Sequence, residues 1–501
     1  MKRSKHSLSN YKLLTCDMGE LVPIGCQEVL MGDSIQQQTS ALIRMSPMLS
    51  PVMHPVHARI HHMFIPNRLL WDSWDDFITG GPDGLNASAF PIITSPSVDG
   101  FAEGSLADYL GVPTGVPDME VSALPFRAYQ LVYNEYYRDQ NLDPESVIDT
   151  GDGSDTITDV DLKLISWEKD YFTTARTTTQ LGSEVSLPLG TEAPITGLGS
   201  QTLTPQLTTT QARYETDGSG TVDYANSSNI DTANVNQILT FERDSSTGYP
   251  NIRADLANAT AATVNQLREA FAIQSYQEAR LRYGHKIVDY LRYHGIKASD
   301  ARIQRPEYLA GGKQTVQFSE VIQTTPTTST AVGTLRGHGI GAMRSNRFRQ
   351  FFEESGILMS FLSIRPKTMY VDGLNKFWNK HLKEDFWQKQ LERIGQEPVL
   401  NKEIYAAHTD PDGIFGYQDR YSEYRQTPST IAGQFRSTLN YWHLARIFTT
   451  DPALNASFVN CNPSKRIFAV QDADNDAFQI MANHSVQARR FVSRNATPSN
   501  I

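Results

Sequence analysis

His54, His57, His61 and His62 crowd into one short stretch, PVMHPVHARIHHMF, and closely spaced imidazoles are the commonest zinc ligands. A zinc site needs three or four such groups converging on one point. In an extended chain successive side chains alternate, so His57 and His61 share a face while His62 lies opposite. His54 precedes Pro55 and sits on a different trajectory, and no CxxC or HExxH accompanies the group. The four therefore read as histidines of a sheet or an interface, with His57 and His61 the pair to examine as metal ligands. A second cluster is basic: Arg336, Arg344, Arg347 and Arg349, interleaved with Phe348, Phe351 and Phe352. Guanidinium groups neutralise phosphates and aromatic rings stack on bases, so this pairing suits single-stranded nucleic acid. The alternative is a helix start whose arginines pair with Glu353, Glu354 or a neighbouring subunit. Lys2, Arg3 and Lys5 at the N-terminus join the nucleic-acid candidates. Gly337-His338-Gly339-Ile340-Gly341 lacks the third glycine of GxGxxG; alternating glycines instead mark a bulged strand that another backbone approaches closely. Asp75-Asp76 and Glu353-Glu354 have no context that would raise a carboxyl pKa, and there is no GxSxG elbow. No catalytic role and no cofactor follow from these residues.

The elements that must position these groups are mostly strands. Residues 54–65 alternate, and further strand-like runs fall at 39–46, 313–323, 331–337, 356–364, 367–371, 466–470 and 478–492. Helical spacing appears at 105–110, at 125–141 with its tyrosine stripe, at 262–294 divided by Gly284, and at 384–394. Residues 1–30 read as an extended arm. Six aspartates between Asp143 and Asp161 do not fit the EF-hand spacing and read as an exposed acidic loop. Between Val185 and Thr240 only six residues are charged, and no lysine occurs between Lys169 and Lys286. A segment so rich in Thr, Ser, Asn and Gly cannot bury enough apolar surface to stand alone. Residues 185–260 are therefore expected to be a surface insertion supported by its own copies or by the body of the protein.

The 501 residues carry a formal net charge of −10, against a surface that is basic throughout, although one basic face remains compatible. Three cysteines, Cys16, Cys26 and Cys461, leave no disulfide framework and suit a reducing cytoplasm. No run of about 18 apolar residues exists, so no membrane insertion is expected. Strands separated by long excursions, without βαβ alternation, fit a β-sandwich or jelly roll.

The segments YKLLTCDMGELVPIGCQEVL (11–30), the histidine strand with RLLWDSWDDF, AYQLVYNEYYRDQN (128–141), EARLRYGHKIVDYLRYHG (278–295), RIQRPEYLAGGKQTVQFSEV (302–321), GTLRGHGIGAMRSNRFRQFFEE (333–354), FGYQDRYSEYR (415–425) and LNYWHLARIF (439–448) resemble the major capsid proteins of gokushoviruses, the small single-stranded DNA phages of the Microviridae. After DYFTTAR (170–176) the family more often shows a Trp- and Pro-containing segment, where this chain has Thr177-Thr178-Thr179-Gln180. The resemblance implies a mainly β protein, an eight-stranded antiparallel jelly roll with long inserted loops and several helices, spanning 1–501 as one domain. It implies sixty copies in a T=1 icosahedral shell around single-stranded DNA, assembled in the bacterial cytoplasm. A small basic DNA-binding viral protein, an internal scaffolding protein, a pilot protein and a host receptor would be partners. The 185–260 insertion would form a threefold protrusion, with Thr210, Tyr214, Asp217 and Tyr224 as host-recognition candidates. The rival from another class is a carbohydrate- or receptor-binding β-sandwich, a spike or adhesin.

Overall fold

Most of the strand patterns seen in the sequence meet in one antiparallel sheet; 367–371 does not, since its strand ends at Pro366 and only a single bridge, Tyr370 to Arg446, follows. In this computed structural model the described residues are 3–182, 185, 264–284, 286–297, 299–325, 331–472 and 475–494, plus the backbone of six two- to four-residue strands between 195 and 254. The chain divides into two compact units, residues 1–179 with 286–501, and residues 180–285. The first carries a ten-stranded sheet: β1 (Ser4–Ser7), β2 (Asn10–Cys16), β3 (Leu21–Val29), β4 (Ser34–Met45), β5 (Val56–Pro66), β6 (Glu307–Ile322), β7 (Leu335–Arg344), β8 (Phe348–Phe351), β9 (Gly356–Pro366) and β10 (Phe478–Arg490). Eight follow the path β1-β10-β4-β7-β6-β5-β9-β3, with β8 added to β4 and β2 to β10. β6 joins the two halves: residues 307–316 pair with β5 and 317–322 with β7. The sheet curls into the antiparallel half-barrel of a jelly roll.

The two halves are buried differently, and sequence pattern follows burial. In the β3-β9-β5-β6 half, β9, β5 and β3 are covered on both faces over most of their length, whereas β6 is largely exposed. Inside the curl, Val56, Ala58 and Ile60 pack with Ile43, Leu362 and Phe478. On its outer face, Met63, Ile65, Met359 and Phe361 pack with Trp71 and with Phe126 and Tyr129 of α1 (Leu124–Val132). β9 accordingly reads as the unbroken run GILMSFLSI, the signature of a strand buried on both sides. β4 and β10 alternate buried and accessible residues along almost their whole length, because only their inner face is covered.

A buried polar layer crosses the curl between apolar layers. His62, fully buried, bonds through Nδ1 to Ser360 Oγ (2.8 Å) and through Nε2 to Ser345 Oγ (3.0 Å). Ser345 Oγ accepts the Thr39 N–H (2.9 Å), and Gln37 donates to Ser360 Oγ (3.1 Å). His484 Nε2 donates to the Ile24 carbonyl (3.0 Å), which leaves its Nδ1 to accept the Thr39 hydroxyl (2.8 Å). Burial holds His62 down to about 3 and depresses His484, so both rings are neutral.

Several expectations need correction. The acidic run 143–161 is only partly exposed: Asp152 and Asp161 face solvent, but Asp155 is buried, Asp143, Asp149 and Asp159 are half-buried, and the segment wraps around α1. Buried Arg127 binds Asp155 (2.8 Å) and the carbonyls of Leu70 and Gly151 (both 3.1 Å), while Asp152 accepts the Trp71 indole N–H (2.5 Å). Burial pushes the Asp155 carboxyl up, but hydrogen bonds from Thr158 and Arg127 outweigh it and hold the group below the usual carboxylate range. Residues 1–30 are extended as read, yet 4–29 supply three strands hydrogen-bonded into the sheet. Residues 465–467 form a 3-10 turn, not a strand. The helical patch at 384–394 is two 3-10 turns, Lys383–Asp385 and Leu391–Ile394. The tyrosine helix ends at Val132 and continues as a π turn, Tyr133–Tyr137. The division at Gly284 holds, giving α2 (Val264–Tyr283) and α3 (Ile287–Tyr293).

The glycine run 337–341 lies in β7, which pairs in unbroken register rather than bulging as expected, and another backbone approaches closely at Gly337. A methyl on Gly337 would overlap the Ser50 carbonyl, whereas one on Gly341 would make ordinary contacts with Val316. Gly337→Ala is expected to cost about 3 kcal/mol or more in denaturant unfolding, with Gly341→Ala neutral or mildly stabilising. Equal midpoints for the two variants would refute the close-approach account.

The neutral histidines set a pH dependence. The unfolded chain takes up protons near pH 6.5 that folded His62 refuses until about 3, so stability is full above pH 6.5 and falls as the pH drops. At pH 4 the loss from His62 alone is about 3 kcal/mol. His54 and His61, both held down to about 4 by burial, act in the same direction. Urea unfolding of the subunit between pH 7.5 and 4 should show this loss, and His62→Gln should flatten it; an unchanged slope would contradict it.

Candidate nucleic-acid interface

Strand alternation and antiparallel register gather basic residues from five strands and two flanking segments onto the uncovered side of the half-barrel. Directly paired residues point to the same side of a sheet. The register runs Lys5–Arg489–Ser34–Phe351, then Ser7–Gln487–Gln36–Arg349, then Tyr11–Asn483–Ser40–Arg344, then Gln479–Arg44–Ile340. All of these lie on the solvent side. Between them run Gln38, Ser485 and Leu42, with Leu13 and Tyr11 about 70% exposed. Arg3, Lys5, Arg349, Arg489 and Arg494 line an open cleft of about 780 Å³ with Ser4 and Ser34. Arg3 stacks over the rings of Phe351 (5.0 Å) and Phe491 (5.5 Å) and donates to the Gly32 carbonyl (3.0 Å). Its charge is thereby positioned at the cleft rim beside an aromatic face.

What makes this surface distinctive is the missing sign. The chain has 55 acidic residues, yet β1, β2, β4, β7, β8 and β10 contain no Asp or Glu. A net charge of −10 therefore coexists with one face whose strands carry basic charge alone. Arginine, amide and hydroxyl side chains, with Tyr11 and Phe351 among them, supply phosphate neutralisation, hydrogen-bond donors and stacking surfaces together.

The candidates from sequence separate clearly. Arg344, Arg347 and Arg349 are exposed and enter no ion pair among the described residues; Arg3 and Lys5 join Arg349 across the sheet. Arg336 is half-buried and donates to the Leu49 carbonyl (3.3 Å), so it belongs to packing. The alternative pairing with Glu354 is not realised, because Glu354 binds Arg68 (2.6 Å). Lys2 lies outside the described residues, as do Thr210, Asp217 and Tyr224; Tyr214 falls in a two-residue strand described only in its backbone. His57 and His61 share a face but bond separately, to Thr315 Oγ1 (3.1 Å) and to Tyr137 Oη (2.6 Å). Four residues apart on a strand they stand about 13 Å apart, too far to share one ion. Among the described residues no three His, Cys, Asp or Glu are grouped to hold a metal. Arg44, Arg489 and Arg494 were missed, because linear clustering does not reveal them. The strand alternation of 39–46 and 478–492 would have placed Arg44 and Arg489 outward.

Each exposed arginine that contacts phosphate steepens the salt dependence of single-strand binding by about 0.7 in log–log slope. Arg344→Gln and Arg489→Gln should each reduce the slope by about that amount in oligodeoxynucleotide binding to the subunit, while Arg336→Gln should leave it unchanged. Equal effects of all three would dissolve the distinction drawn here.

The chain matches the family described as capsid protein (F protein) over residues 1–499. It is 37% identical to capsid protein VP1 of Bdellovibrio phage phiMH2K over 493 residues, covering 94% of this chain and 90% of that protein. With capsid protein VP1 of Chlamydia phage 1 it shares 32% identity over 546 residues, covering 94% and 91%. Capsid protein VP1 of Spiroplasma virus 4 is 29% identical over 510 residues, covering 94% and 90%.

Proposed function

The chain belongs to the capsid protein (F protein) family, and from that premise we propose that its accessible sheet face, whose strands carry no carboxylate, holds the packaged single-stranded DNA. It is a major structural protein of a phage capsid, and its basic function is assembly with copies of itself. The carrying observation is the single-sign charge of β1, β2, β4, β7, β8 and β10 in an acidic chain. Repulsion between an acidic subunit and a polyanion falls steeply when the subunit turns one basic face inward. A face of arginines, amides and two exposed aromatics binds sequence-tolerantly, as a shell around an entire genome must. A closed T=1 shell of sixty copies, with two-, three- and fivefold contacts, is the architecture this reading takes. The charge that one such face leaves unneutralised calls for a small basic DNA-binding protein inside the particle. Scaffolding and pilot proteins and a host receptor complete the set of partners, with the 185–260 segment as the receptor-facing insertion. A free adhesin gains nothing from a long sheet face without carboxylates.

Replacing Arg344, Arg347 and Arg349 together by Gln tests the reading in purified particles. Assembly should persist, with the ratio of DNA to protein reduced and particles losing DNA at lower salt than wild type. Unchanged packaging and salt tolerance would move these arginines to protein contacts.

A further inference from the structure

We infer that residues 376–394 are the face by which one copy of this chain grips the next, and that the neighbour offers its 72–90 segment. The inference rests on the capsid reading above and adds which surfaces meet. Phe377, Trp378, Leu382, Phe386, Trp387 and Ile394 are each half to two-thirds exposed, the densest run of uncovered large apolar side chains in the described residues. Exposed aromatics on a loose loop would fold inward, but this backbone is held in place. The Asp385 carboxylate accepts the N–H groups of His381 (2.9 Å) and Leu382 (2.8 Å). Tyr421, in left-handed backbone (φ 60°), donates its hydroxyl to the Phe386 carbonyl (3.0 Å) and accepts the Gln388 N–H (3.2 Å). Lys380, its side chain 4% exposed, binds Glu423 (2.7 Å) beneath Tyr424. The turns are therefore fixed with their rings outward, a preorganised surface that loses little freedom on docking.

Size and charge identify the occupant. At 150–250 Å² for each fully exposed aromatic side chain, and with these half to two-thirds exposed, the patch offers on the order of 600 Å², most of one partner's share of a standard interface. Exposed Lys389 and Arg393 rim it, in no ion pair among the described residues. The 72–90 segment has the opposite character: Phe77, Ile78, Leu85 and Phe90 are exposed, rimmed by Asp72, Asp75, Asp76 and Asp83 with no Lys or Arg. Two different faces of one chain make a heterologous contact, which closes into a ring under cyclic symmetry.

Sedimentation of wild-type chain and of Trp378→Ala/Trp387→Ala under assembly conditions tests this. The variant is expected to melt cooperatively within a few degrees of wild type but to yield at least tenfold fewer shells. Wild-type shells alongside equally abundant variant shells would overturn the choice of face alone; so would intact variant shells with altered adsorption to cells. A wild-type chain that never assembles would overturn the capsid reading and this one with it. Should the variant fail to fold, Lys389→Glu/Arg393→Glu leaves packing untouched: it should impair assembly, and Asp75→Lys/Asp76→Lys in the same chain should restore it. No restoration would overturn the pairing of the two faces.

Discussion

The curl of the sheet depends on a buried polar clasp. His62 on β5 reaches Ser345 beyond β7 and Ser360 on β9, while Thr39 on β4 and His484 on β10 carry the chain of bonds to the backbone of β3. Apolar packing would hold the two halves together at many registers; a network of directional bonds holds at one. A buried donor left unpaired costs about 1–3 kcal/mol, so each slip of register is penalised at several atoms at once. Since a one-residue slip would turn every side chain to the opposite face, the same clasp fixes which residues look outward. The basic face follows from that register.

Differential burial then divides the labour. The half built from β3, β9, β5 and part of β6 is closed over by α1 and the segments around Trp71, Phe101 and Trp167. The half built from β1, β2, β10, β4, β7 and β8 keeps its outer side largely accessible, and its strands carry no carboxylate, although Glu103, Asp108 and Asp476 border it at the Arg44 end. In a lone molecule a long, accessible sheet face of this kind would invite association. In a capsid subunit the absence of acidic residues directs that association towards a polyanion.

Much of this was readable from residues. Alternation from Val56 to His62 predicted β5, the apolar run at 356–364 predicted β9, and the tyrosine spacing predicted α1. The alternating glycines at 337–341 announced a close backbone, which is the Met48–Ser50 segment. What escaped was long-range. Arg44 and Arg489 are 445 residues apart and come onto one face, at opposite ends of the ladder, only through pairing of β4 with β10. The empty column of acids in six strands is visible in the sequence, but only after the strands are known to share a sheet. The turns at 383–394 escaped for a local reason: Asp385 binds backbone N–H groups at 381 and 382, which competes with helix. Residues 466–470 looked strand-like because Ile467 and Phe468 are apolar; they are buried as a turn against the core instead.

The most direct test is ultraviolet cross-linking of DNA to protein inside intact particles, followed by mass spectrometry of the adducted peptides. The account predicts nucleotide adducts on peptides containing Tyr11 and Phe351, and on neighbouring peptides from β4, β7 and β10. Adducts confined to other segments, with these strands unmarked, would contradict it.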